Sequence, residues 1–142
     1  MLEILVLIHS VLRWFLLVGL GMVVINALIH RTALVMRESD RKIYVFTMIF
    51  FHVQLLLGLI LYFLSTKVSF TVEMMKITTL RFYTLEHGLG MILAVALVTI
   101  GKKQADISRA PYKKLLFYYG LALFVTLISI PWPFRHLGAA WL

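Results

Sequence analysis

Apolar residues fill this chain in four long blocks, at about 4–29, 44–64, 81–100 and 115–130, and polar residues gather in the three connections between them. A helix needs about 20 largely apolar residues to cross the hydrocarbon of a bilayer, so each block is read as one membrane span. The four spans use up the chain, which makes residues 1–142 a single domain with no soluble part. Connections this short make neighbouring helices antiparallel. The expected fold is therefore all-α, a four-helix up-down-up-down transmembrane bundle. Pro111 is placed to start the fourth helix and Pro131 to end it. The connection at 65–80 is the least regular, and its stretches 68–70 and 74–75 suit a short amphipathic piece along the outer interface. The Pro131-Trp132-Pro133-Phe134 stretch reads as an aromatic anchor at the outer surface, matched by Trp141 near the C-terminus.

Composition points the same way. Hydrophobic residues make up 62% of the chain and charged residues 14%, against roughly 45–50% and about 25% in soluble domains. So small a body cannot hide that excess in a core, because surface dominates volume at this length. There is no cysteine, which excludes disulfides and thiolate metal sites. The N-terminus opens with Glu3 rather than a basic region, and its apolar run is long with no small-residue cleavage site, so it is read as a span and not as a removable signal peptide.

Charge sets the orientation. The first connection carries Arg31, Arg37, Arg41 and Lys42, and the third carries Lys102, Lys103, Arg109, Lys113 and Lys114. The opposite side has only Lys67, Lys76, Arg81 and Arg135. The positive-inside rule then places the first and third connections in the cytoplasm and both termini on the non-cytoplasmic side of an inner membrane. The net charge of +8 is accounted for by this orientation and by contact with anionic headgroups of membrane lipid, so no nucleic acid is expected as a partner.

Ionisable side chains inside a span are costly and mark function by default. Here they are His9 and Arg13 on the first helix, His52 with Gln54 on the second, and Glu86 and His87 on the third, with Arg81 at that helix's outer end. The fourth helix offers only the hydroxyls of Tyr118, Tyr119, Thr126 and Ser129. Histidine in a helical bundle serves as an axial ligand of haem, and two ligands of one iron must lie at one height. At 1.5 Å per residue His9 lies about 7–8 Å deep, His87 about 9 Å and His52 about 15 Å. His9 and His87 match, and the first and third helices are diagonal in a square bundle. The residues thus favour one haem in the outer half of the membrane with His9 and His87 on its iron.

Other roles stay open at the neighbouring positions. Gly88 and Gly90, like Gly19 and Gly21, let either a flat ring or another helix approach the backbone. Arg13 pairs either with a haem propionate or with Glu86, and Arg81 is a second candidate for a propionate. His52 is an alternative to His9 as ligand, a hydrogen-bond partner for a quinone with Gln54 or Glu86 beside it, or a polar packing residue. His30 and His136, at the membrane borders, are read as solvated, and the methionines as packing rather than copper ligands.

The strings His9-Ser-Val-Leu-Arg13-Trp14, His52-x-Gln54-Leu-Leu-Leu-Gly58 with Leu61-Tyr62, Arg81 with Glu86-His87, and Ile130-Pro-Trp-Pro-Phe134 together cover essentially the whole chain. In this combination the chain resembles a family of short four-span bacterial membrane proteins known as cytochrome b. The resemblance implies b-type haem and electron transfer near quinone, with His9, His52 and His87 at the family's intramembrane histidine positions. The better-studied four-helix di-haem cytochromes carry at least four ligand histidines, so the three here favour one haem b over two. The expected function is a small membrane-embedded b-type cytochrome of the bacterial inner membrane. It would carry electrons between the quinone pool and a partner, alone or as an oxidoreductase subunit, within a larger membrane complex or a homo-oligomer. The alternative is a cofactor-free accessory or assembly subunit of a larger respiratory complex, in which His9, Arg13, Glu86 and His87 form a buried polar network.

The charge asymmetry makes a direct prediction: a C-terminal reporter that works only in the cytoplasm stays silent, whereas one that works only outside is active. Activity of the cytoplasmic reporter would reverse the topology.

Overall fold

The structure is a computed structural model that describes residues 1–139; Trp141, expected as an interfacial anchor, lies outside them. Four long helices dominate: α1 (Leu2–Ile29), α2 (Glu38–Leu64), α3 (Thr78–Ile107) and α4 (Pro111–Ser129). Among the described residues there is no strand. Three of the four, α1, α2 and α3, are long and apolar enough to cross a membrane. The fourth is shorter, and its first turn carries Lys113 and Lys114, so the expected span at 115–130 does not reach the same standard.

The helices overrun the apolar blocks. α2 begins six residues before Tyr44, with Glu38 and Asp40 in its first turn, where the helix dipole favours negative charge. α3 continues to Ile107, so only residues 108–110 separate it from Pro111 at the start of α4. Hydropathy finds where a helix is apolar, not where it ends. The irregular connection at 65–77 holds one 3₁₀ turn, Val72–Met75, which takes in the expected 74–75 piece.

In space α1 packs on α2 and α4, and α3 on α2 and α4; the α3–α4 seam is the most extensive and the α2–α3 seam the sparsest. Partners across each seam run in opposite directions. His9 and Gly19 of α1 meet Gly58 and Thr47 of α2, and Gly90 and Gly101 of α3 meet Ser129 and Tyr118 of α4. α1 and α3 therefore stand across the ring from each other. The buried core is a column of Leu16, Leu20, Phe51, Ala94, Val98 and Tyr119. Large apolar side chains such as Phe15, Phe46, Phe117 and Phe124 point outward. At most 28% of any spanning window is buried within the fold, so most of its apolar surface calls for an apolar solvent.

Two tyrosine–carboxylate pairs close the end that carries the 30–37 and 108–110 connections. Tyr112 donates to Asp40 at 2.6 Å and Arg37 to the same carboxylate at 3.0 Å. Tyr44 donates to Asp106 at 2.6 Å, and Lys102 lies 2.8 Å from that group. Tyr119 adds a bond to the Tyr44 carbonyl at 2.9 Å. His30, expected to be solvated, is half-buried, with its ring 5.5 Å from that of Tyr112 and its Nδ1 3.0 Å from the Asn26 carbonyl.

The glycines divide by position. A Cβ built on Gly19 would lie 2.9 Å from Thr47 Oγ1, and one on Gly101 would lie 2.6 Å from Tyr118 Cβ and 3.1 Å from the Tyr119 ring. These are helix contacts. Gly21 and Gly120 face nothing within 4 Å. Gly101→Ala is therefore expected to destabilise the protein by about 1–3 kcal/mol through overpacking, whereas Gly120→Ala is neutral or slightly stabilising. Thermal unfolding of the two variants in detergent measures the difference.

Candidate functional site

The centre forms at the end of the ring where α1 begins and α4 ends, where α3 departs from regular geometry. Residues Phe82–Glu86 make a π-helical turn just before His87. Such a turn inserts one residue into the helix and changes which side chains share a face. Five-residue spacing becomes a stack, so Arg81 and Glu86 pair at 2.9 Å on the outside, both well exposed. This corrects the expectation that Glu86 turns inward to meet Arg13. His87, the next residue along, faces the interior instead.

There it meets His9. The two imidazole centroids lie 6.4 Å apart with their planes at 79°. The Nδ1–H of His87 donates to the Ser129 carbonyl at 2.7 Å, leaving the Nε2 lone pair as the ring's acceptor. Rings of Phe82 and Tyr83 flank His87 at 6.0 and 6.3 Å. On the other side, a Cβ at Gly58 would lie 3.3 Å from His9 Cε1, so the ring rests against the α2 backbone. The same stretch of α2 supplies Gln54, whose amide donates to the His9 carbonyl at 2.7 Å.

Two cavities abut at this pair. One of about 330 Å³ runs toward the middle of the ring between apolar walls that include Phe51, Leu55, Ile92 and Val95. The other, of about 340 Å³, opens toward the terminal end past Ser10, Ser65 and Lys67. His9, Arg13, Gly58, Tyr62 and His87 line both. Arg13 is buried, and its guanidinium stands 5.4 Å from the Trp14 ring centroid. Among the described residues, the buried polar atoms His9 Nδ1, Gln54 Oε1 and Thr126 Oγ1 have no hydrogen-bond partner, and their residues all line the first cavity. Burying such atoms in apolar walls is costly unless something in the cavity meets them.

The structure thus brings together His9, His87, Arg13 and Gln54, and leaves the other expected residues outside. His52 is exposed at the outer edge of the α2–α3 seam, with its ring Nδ1–H on the Met48 carbonyl at 2.9 Å and Nε2 3.5 Å from Thr99 Oγ1. Two residues along a helix is about 200° of rotation, so His52 and the buried Gln54 cannot serve one ligand. Arg81 is engaged by Glu86 and lines neither cavity. Gly88 sits beside Tyr62, and Gly90 is filled by the Ser129 side chain, 2.8 Å from a would-be Cβ at Ser129 Cβ. The helix-packing role holds for Gly90, and Gly58, which sequence reasoning passed over, is the glycine that makes room for a histidine. Lys67 was also missed, since nothing in a lone loop lysine signals that the fold returns it to the cavity mouth. Among the described residues no three histidine or carboxylate side chains gather around a point, so two imidazoles are what this centre offers a metal.

Comparison with known proteins finds no matching family model, no matching curated protein and no matching solved structure. Function is therefore argued from the site.

The outward Arg81–Glu86 pair is expected to matter little. Exposed ion pairs contribute at most about 1 kcal/mol, so Arg81→Ala and Glu86→Ala should each leave thermal stability in detergent nearly unchanged. A loss of several kcal/mol in either would place Glu86 in the interior network after all.

Proposed function

We propose that this chain is a small b-type cytochrome of the bacterial inner membrane, a four-helix transmembrane bundle with both termini outside and one haem b between His9 and His87. It passes electrons between the quinone pool and a partner at the outer face. The observation that carries this reading is the spacing of the two rings. Two imidazoles this close, on opposite helices, could hold one metal ion between them, each through a ring nitrogen. The rings here are 6.4 Å apart, on helices that face each other across the ring. The bond from His87 Nδ1 to a backbone carbonyl is the usual outer partner of a metal-bound histidine.

The remaining lining suits the two halves of such a group. The apolar inner cavity, with Gly58 and Gly88 beside the histidines, would hold the flat macrocycle away from water. Arg13 and Lys67 supply cationic partners for carboxylates where the second cavity opens outward. When bound, haem b contributes a one-electron iron couple whose potential the axial ligands and their surroundings set. His9 and His87 would hold it, and the apolar walls would keep water out.

A second reading has one observation in its favour. The perpendicular approach of the His9 and His87 rings is also a common packing geometry for aromatic rings. The chain would then be a cofactor-free accessory or assembly subunit of a larger respiratory complex.

A reduced-minus-oxidised spectrum of the purified protein separates the two. A Soret band with sharp reduced α and β bands supports the cytochrome, and a colourless preparation supports the subunit. His9→Ala and His87→Ala are each expected to lose the haem spectrum, whereas His30→Ala, His52→Ala and His136→Ala retain it. Loss of haem in His52→Ala with retention in His9→Ala would move the iron to the α2–α3 seam.

A further inference from the structure

The Pro131-Trp132-Pro133 stretch does more than stop α4. In an α-helix the carbonyls of Leu127, Ile128 and Ser129 would accept the N–H groups four residues on, at positions 131, 132 and 133. Prolines at 131 and 133 have no N–H to give. The N–H of Trp132 turns instead to the Ile130 carbonyl at 2.9 Å. All three carbonyls are met by side chains. Trp132 Nε1 donates to Leu127 at 2.8 Å, Arg135 Nη1 to Ile128 at 2.8 Å, and His87 Nδ1 to Ser129 at 2.7 Å. The first two donors come from the same chain end. The third comes from α3, and it belongs to the candidate centre.

Termination alone does not require both prolines. Pro131 already forces Ile130 out of the helix, to φ −73° and ψ 134°. The second proline removes the one backbone donor whose ladder position faces Ser129. Gly90 completes the arrangement. It lies three residues beyond His87 on the same helix, and its bare backbone lets the Ser129 side chain come in close.

The geometry points to Pro131 and Pro133 as positioning residues for His87: Pro131 ends α4 before residue 133 can join the ladder, Pro133 has no N–H to offer there, and the Ser129 carbonyl is left to the imidazole, which fixes the ring's proton on Nδ1. In the neutral ring this keeps the Nε2 lone pair available, which is the nitrogen a metal takes. A histidine that donates in this way is also the more electron-rich ligand. The placement of the proton stands on the geometry alone; its consequence for an iron rests on the haem reading above.

The test reads the tautomer directly. Full-length protein without haem, labelled with ¹⁵N-histidine in lipid nanodiscs, is expected to show His87 with a protonated Nδ1 and a bare Nε2. In Pro131→Ala/Pro133→Ala the helix can continue and return N–H groups to Leu127 and Ser129, so the His87 signal should shift to a mixture of both tautomers. Trp132→Phe removes a neighbouring cap but leaves the Ser129 carbonyl free, and should keep the wild-type pattern. In haem-loaded protein the double variant should also show a higher midpoint potential, because the less electron-rich ligand favours Fe(III) less, while Trp132→Phe does not change it. Should the double variant fail to accumulate, Pro131→Leu/Pro133→Leu, which also lets the helix continue and restores both N–H groups, is expected to shift the tautomer in the same direction. A proton on Nε2 in the wild type, or an unchanged Nδ1–H in the proline variants, overturns the inference. If no preparation binds haem, the cytochrome reading fails while the tautomer measurement still decides the role of the prolines.

Discussion

Hydrocarbon has no water to offer a polar atom, so a helix within it has to satisfy each buried polar side chain through its own backbone or a neighbouring helix. The side chains of α2 and α3 follow this constraint closely. Thr47 donates to the Ile43 carbonyl, Thr99 to Val95 and His52 to Met48, each four residues back on the same helix. Asp40 and Asp106 lie where the connections meet the helices, and each is held by a tyrosine and a basic side chain. One end of the ring is thereby closed by bonds that tie α2 to α4 and α3. The other end keeps its polar atoms around two cavities. Among the described residues, the unpartnered buried atoms of His9, Gln54 and Thr126 all lie in this half, around the first cavity.

Close helix contact is the second requirement, and it comes from a few glycines. Gly19 and Gly101 let Thr47 and the Tyr118–Tyr119 pair sit against a backbone, which draws α1 to α2 and α3 to α4 along the closed half. The α2–α3 seam has only the looser approach of Tyr62 to Gly88, 3.8 Å from a would-be Cβ, and is the sparsest of the four. The larger part of the inner cavity opens along that seam, between Leu55 and Leu59 on one side and Ile92 and Val95 on the other. Denser packing on the other seams than on this one leaves the inner cavity its width between α2 and α3.

The parts of this arrangement legible in the sequence are those governed by composition and by axial distance. Long apolar blocks located the helices, and counting residues from their ends placed His9 and His87 at one height on opposite helices. The parts that were not legible depend on rotation about a helix axis. The π turn at Phe82–Glu86 has no sequence signature, yet it sends Glu86 outward to Arg81 and His87 inward. His52 and Gln54 looked like one site because they are close in sequence, but two residues on a helix face opposite ways. The Asp40 and Asp106 clamps escaped notice for another reason. Carboxylates in basic connections read as surface, and only the fold shows that two tyrosines reach them.

These two halves together give the centre a direction. Toward the closed end the core is packed with Leu20, Val23, Ala94, Val98 and Tyr119, and the Asp–Tyr pairs seal what lies beyond. Toward the terminal end the second cavity opens past Ser10, Ser65 and Lys67, about two helical turns from the start of α1. On the proposed reading, a redox group held by His9 and His87 therefore lies near one membrane face and far from the other. Its exchange partners at that face would be soluble or peripheral, while the α2–α3 seam is the side open to a lipid-borne donor.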